Sequence, residues 1–131
     1  MIQAKELRIN NLVKVKISND ARIYTIVNIN GLAGTVGLDG VRQGEVISTE
    51  KIKPIQLTEE ILLKCGFQEI YRSEFSIRFE LPSNQKIEYK WNCTFGWNLY
   101  CETWCIENIN TLHQLQNAIY FLTGKELEVK L

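Results

Sequence analysis

His113 is the single histidine in the 131-residue chain, so any cysteine-nucleophile or imidazole acid–base chemistry would have to use it. Cysteines stand at 65, 93, 101 and 105. A structural zinc site needs four ligands and usually pairs its cysteines two to four residues apart. Here Cys101 and Cys105 are close, and Cys65 and Cys93 are isolated. The thiols therefore read as small buried hydrophobes. His113 falls in the first turn of a helical pattern, where the dipole lowers imidazole basicity, and reads as a capping or packing residue. The carboxylate pair Glu59 and Glu60 suits a helix start, and Glu126 with Glu128 suits the polar side of a terminal strand. Gly31, Gly34, Gly37 and Gly40 recur at steps of three with no Lys-Ser or Lys-Thr after them, which is turn chemistry and not a phosphate cradle. The expectation is a protein with no metal, no cofactor and no catalytic residues.

Two sets of residues could instead bind. Asn108 to Gly124 contains no charged side chain, in a chain that is 23% charged. Within it His113, Gln116, Asn117 and Tyr120 sit at helical spacing and form one stripe. Buried amides need partners, so the stripe either pins the helix to neighbouring loops or meets a partner. The charge-free helix is expected to be covered by its own chain or by a second copy. The second set is Lys14, Lys16, Arg22 and Tyr24, expected side by side across a hairpin as a nucleic-acid face. The aromatics Trp91, Phe95, Trp97, Tyr100 and Trp104 are crowded together. Most suit a core, while Tyr100 and Trp104 run out of phase with Trp97 and Leu99, so one of them is expected outside.

The elements that position these residues follow from periodicity. Val13, Val15 and Ile17 alternate with lysines as a half-buried strand. Ser18-Asn19-Asp20 reads as a turn, Arg22 to Ile29 as a second strand and Asn30-Gly31 as a hairpin. Leu32 to Leu38 is a third strand, and Asp39-Gly40 marks another hairpin. Glu45 to Ile47 is a fourth strand, Ser48 to Lys51 a helical turn, and Ile52 to Ile55 a fifth strand. Five short strands with a helical turn before the last suggest a small SH3-like barrel over residues 1–57. Leu57 to Gly66 is a short helix capped by Thr58, with Leu57 and Leu62 placed as a staple. In residues 58–131, Phe75, Ile77, Phe79 and Leu81 alternate with polar residues, as do Ile87, Tyr89 and Trp91, giving an antiparallel hairpin with one apolar face. Trp97 to Cys101, Thr103 to Glu107 and Leu127 to Leu131 add strands. Leu112, Leu115, Ile119 and Leu122 define the main helix, with Thr111 and Gln114 as a capping box and Gly124 as its stop. That helix is expected on the apolar face of the second sheet, in one compact unit or two.

Formal net charge is zero, which gives no global basic footprint. Residues 1–57 carry eight Lys or Arg against five acids, and residues 58–131 seven against ten. No apolar run reaches the roughly 18 residues of a membrane span, and the first residues lack a signal-peptide core. Cytoplasm, with reduced thiols, is the expected compartment.

Three stretches carry a resemblance: Lys5-Glu6-Leu7-Arg8-Ile9 with Asn11; Pro54-Ile55 and Leu57-Thr58-Glu59-Glu60 running to Gly66-Phe67; and His113-Gln114-Leu115-Gln116-Asn117 with Leu122-Thr123-Gly124-Lys125-Glu126-Leu127. They resemble a family of small uncharacterised bacterial proteins, often encoded near phage or mobile-element genes. Residues 68–107 lie outside the resemblance. Members commonly have Gly-Asn at Asn10-Asn11 and an aromatic pair near Ala118-Ile119. The resemblance implies a bacterial, prophage-associated origin and no particular activity. The expected protein is of α+β class: an N-terminal five-strand barrel, a connecting helix, and a C-terminal antiparallel sheet packed on one main helix. Its expected role is non-enzymatic protein binding as a small adaptor. The alternative is a nucleic-acid module using the basic barrel face.

Overall fold

The computed structural model describes residues 2–17, 20–40 and 45–131. Among the described residues the fold is mixed α+β and mostly strand, with two five-stranded sheets and two α-helices, α1 (Glu59–Lys64) and α2 (Leu112–Thr123). Residues up to 56 together with 111–125 make one compact unit, and 57–110 with 126–131 make the other.

The first unit is a curled antiparallel sheet of β1 (Leu12–Ile17), β2 (Asp20–Asn30), β3 (Thr35–Leu38), β4 (Ile47–Ser48) and β5 (Ile52–Lys53). Its strand order is β4-β3-β2-β1-β5, so the last strand returns to the first. Alternation in β1 works as expected: Val13 and Val15 are buried, while Lys14 and Lys16 are exposed. Together with Ile2, Ile26, Val36 and Ile52 these valines form the unit's core. A register shift between Ile26 and Asn28 leaves Val27 exposed and brings Ile29 back against the core opposite Val36. Ser48 caps a 3₁₀ turn over Thr49–Lys51, its hydroxyl accepting from the Glu50 N–H at 3.3 Å. The third strand begins at Thr35 instead of Leu32, whose side chain is exposed, and the fourth lies two residues later than its expected start. The turn expected at Ser18-Asn19 and the residues that follow Asp39-Gly40, 41–44, lie outside the described residues.

Helix α2 belongs to this first unit. Of the residues whose spacing defined it, Leu112, Leu115 and Ile119 are buried and Leu122 is half-buried, and His113 and Gln116 are buried beside them. The Thr111 N–H donates to Gln114 Oε1 at 3.2 Å within a capping box, and Gly124 closes the helix at φ +72° with its N–H on the Tyr120 carbonyl. Thr111 also bridges to Gln56, and the Leu112 N–H reaches the Ile55 carbonyl. The contacts thus group this helix with the first sheet, where the sequence reading divides the chain at residue 57 and sets the helix on the second sheet. The Gln116 and Asn117 amides find their hydrogen bonds in residues 6–12, more than a hundred positions earlier in the chain.

The second unit is an antiparallel meander of β6 (Gln68–Arg72), β7 (Ser76–Leu81), β8 (Asn84–Asn92), β9 (Gly96–Cys101) and β10 (Trp104–Ile106), in the order β10-β9-β8-β7-β6. Phe79, Leu81, Ile87, Tyr89 and Leu99 fill its buried side. Strand β6 was not expected, because all five of its residues are exposed and none of the alternation that marks a half-buried strand is present. In α1 the Thr58 hydroxyl accepts from the Ile61 N–H at 3.1 Å, and Gly66 follows at φ +88°. The strand expected over Leu127 to Leu131 does not form. That stretch is irregular, with the Lys130 N–H on the Lys64 carbonyl at 2.9 Å.

Candidate functional site

The helix stripe is largely occupied by its own chain. Gln116 is 3% exposed. Its Oε1 accepts from the Leu12 N–H at 2.9 Å, and its Nε2 donates to the Asn10 carbonyl at 3.2 Å. Asn117 Oδ1 accepts from Arg8 Nε (3.1 Å) and Asn11 Nδ2 (2.8 Å), while its Nδ2 donates to the Glu6 carbonyl at 3.0 Å. Tyr120 is partly exposed, with the Arg8 guanidinium 4.3 Å from its ring centre. His113 is buried beside Thr111, Nδ1 to Oγ1 at 3.2 Å. Burial holds its imidazole below the ordinary histidine range, against the opposing pull of Glu6. Gln116, Asn117 and Tyr120 thus hold residues 6–12, while His113 bonds to the cap residue of its own helix. Asn10 within that segment sits at φ +80°, a conformation that asparagine and glycine tolerate.

The second expected set divides between two faces. In the β1–β2 ladder Val15 pairs with Arg22 and Val13 with Tyr24, while Lys14 pairs with Ile23 and Lys16 with Ala21. Residues directly opposite share a face. Arg22 and Tyr24 therefore stand on the side of the buried valines, and Tyr24 packs against the core. Lys14 and Lys16 stand on the other side, where Lys53 lies directly opposite Lys14. A one-residue register difference reverses the face of every side chain.

The cysteines also divide. Cys65 is buried, and burial pushes its thiol up to about 12, so it is the packed hydrophobe expected of all four. Cys93 and Cys105 are exposed and Cys101 is half-buried. No group of three or more metal-ligating side chains occurs among the described residues.

The second unit contains a cavity of about 340 Å³ that sequence reasoning missed. Its sheet wall is one cross-strand row, Ile77–Trp91–Trp97, backed by Tyr89 in the next row. Tyr89 and Trp97 stack at 5.4 Å and 15°. The opposite wall is the approach to α1: Leu57, Thr58, Glu59 and Leu62. Thr58, Glu59 and Tyr89 among these are already engaged. Thr58 caps α1, Glu59 accepts from Arg72 at 2.8 Å, and the Tyr89 hydroxyl donates to the Ile109 carbonyl. Burial pushes the Tyr89 phenol up to about 12, so it stays protonated at neutral pH. Alternation had placed Ile77, Tyr89 and Trp91 on one face, but nothing local to the sequence indicates that α1 stops short of covering them.

The same end of the sheet exposes two more rings. Phe75, just before β7, is 66% exposed, and Phe95, in the β8–β9 turn, is 75% exposed. A hydrogen bond from the Cys93 N–H to the Phe75 carbonyl (3.0 Å) ties those two turns together. Trp104 is the out-of-phase aromatic that stands outside, 76% exposed on β10. Among the described residues no helix is long and apolar enough to cross a membrane. Comparison with protein-family models, curated proteins and solved structures finds no match for the chain.

Proposed function

We propose that the chain is a non-enzymatic binding protein whose second unit receives a bulky apolar side chain from a protein partner. The observation that carries this reading is the cavity walled by Ile77, Trp91, Trp97 and Leu62, at a sheet end where Phe75 and Phe95 are exposed beyond it. Its volume lies in the range of binding pockets, roughly 300–1,000 Å³, and its lining is mostly apolar and aromatic, as in such sites. A small free ligand would need the cavity alone. Rings exposed past its rim extend the apolar surface in the manner of a protein contact, with an aromatic anchor site inside it. The second unit's residues carry six Lys or Arg against ten acids, a net −4 that favours a partner segment with basic residues around its apolar anchor. The engaged state of Thr58, Glu59 and Tyr89 supports binding over acid–base work.

The curled sheet, with its 3₁₀ turn before a fifth strand that rejoins the first, is read as an SH3-like barrel. The exposed thiols at Cys93 and Cys105 suit a reducing cytoplasm, and the bacterial, mobile-element association stays with the resemblance.

Selection of random linear peptides on the full chain tests the binding reading. The expected winners share one bulky apolar residue flanked by Lys or Arg. Trp97→Ala should weaken them about 30-fold, the effect of a hot-spot residue worth roughly 2 kcal/mol. Ile77→Phe, which fills the cavity while keeping an apolar sheet face, should weaken them as much. Peptides that bind Ile77→Phe as well as the parent chain would show the reading to be wrong.

A further inference from the structure

We infer that the outer face of β1 and β5 is a phosphate-binding surface for duplex nucleic acid. Lys14 and Lys53 stand directly opposite each other in the antiparallel β1–β5 pair, and Lys16 shares their face two residues along β1. Lys51, also exposed, immediately precedes β5. Like charges directly opposite destabilise such a pair.

The second sheet contains the same arrangement and neutralises it. Arg78 is paired in register with Lys90, and Glu80 with Glu88, yet Glu88 takes a 2.6 Å contact from Arg78 and a 3.0 Å contact from Lys90. Burial alone would raise the Glu88 carboxyl, and those two hydrogen bonds outweigh it and hold the group low. Lys64, Arg72 and Lys86 of that unit are ion-paired as well. On the first unit's face, Lys14, Lys16, Lys51 and Lys53 have no ion pair among the described residues, and the facing positions Ala21, Ile23 and Thr25 of β2 contribute no acid. The first unit's residues hold nine Lys or Arg against five acids, a net +4. A row of unpaired cations on a strand face, kept at a cost to the sheet, is complementary to a polyanion. The same facing positions offer no ring on which an unpaired base could stack. That favours the backbone of a duplex over a single strand.

The test is fluorescence anisotropy of the full chain with a short labelled duplex DNA, the same DNA as a single strand, and polyglutamate as competitor. Three phosphate contacts predict an affinity that falls roughly 40-fold between 50 and 200 mM salt, whatever the base sequence, and a duplex bound at least as well as the single strand. The triple variant Lys14→Gln, Lys16→Gln, Lys53→Gln should lower affinity about ten-fold or more at 50 mM and flatten the salt slope by about 2.7. Its melting temperature should hold or rise, because the like-charge pair is gone. Binding that survives the triple variant overturns the inference. So does a lack of binding at 50 mM salt, or displacement by polyglutamate at matched charge. Self-association lost in the triple variant, without DNA binding, would also overturn it.

Discussion

Gln116 spends both ends of its amide on backbone groups, the Leu12 N–H and the Asn10 carbonyl, at a position 3% exposed. Replacing it with Glu keeps one acceptor and sets a carboxylate oxygen against the Asn10 carbonyl. The loss of a buried hydrogen bond plus the burial of charge should cost about 2–3 kcal/mol near neutral pH. A protonated carboxyl can still donate to that carbonyl, so the deficit should shrink on acidification; urea unfolding at several pH values checks both. His113 gives a second pH-linked expectation. Its folded pKa lies below the ordinary 6.5, chiefly because it is buried, so the unfolded chain binds more protons on the acid side. Its contribution is therefore complete above about pH 6.5 and is lost as pH falls below that value. His113→Asn, which keeps an acceptor near Thr111, should flatten the fall in unfolding free energy between about pH 7 and about pH 5.

At the scale of elements, α1 is six residues long and depends on its cap. Thr58→Ala removes the hydroxyl that accepts from the Ile61 N–H and should cost about 1 kcal/mol, seen as a lower melting temperature. Both helices were legible because their caps and stops are local signals: Thr58 and Gly66 for one, Thr111, Gln114 and Gly124 for the other. The hairpin of β7 and β8 was legible because Ile77, Phe79, Tyr89 and Trp91 alternate with polar residues. Strand β6 was not, since an edge strand with every residue exposed carries no period. The basic set divides between two faces for a related reason. Alternation places Lys14 and Lys16 together, but only the observed pairing of Val15 with Arg22 fixes which β2 residues join them.

At the scale of the whole chain, the first unit is closed by residues from both ends: the segment holding Arg8 and Asn11 is bonded to Asn117 of α2, more than a hundred positions later. The missing charge on α2 was visible in the sequence, and its cause was not, because the partners of Gln116 and Asn117 are backbone groups of residues 6–12 and the side chains of Arg8 and Asn11, more than a hundred positions away in the chain. The charge is divided as well, +4 and −4 over the two units of a neutral chain. Opposite signs on separate units suit two unlike partners, an apolar-anchored basic segment and a phosphate backbone.

The three tryptophan indole N–H signals offer the most direct test of the binding account. Trp91 and Trp97 line the cavity, and Trp104 stands exposed on β10 outside that lining. The full chain would be titrated with a short peptide carrying one leucine between arginines and followed by proton–nitrogen correlation spectra. The account predicts that the Trp91 and Trp97 signals shift and saturate together while Trp104 stays in place, and that Ile77→Phe abolishes the shift. Absence of any shift, or three signals drifting together without saturation, would contradict it.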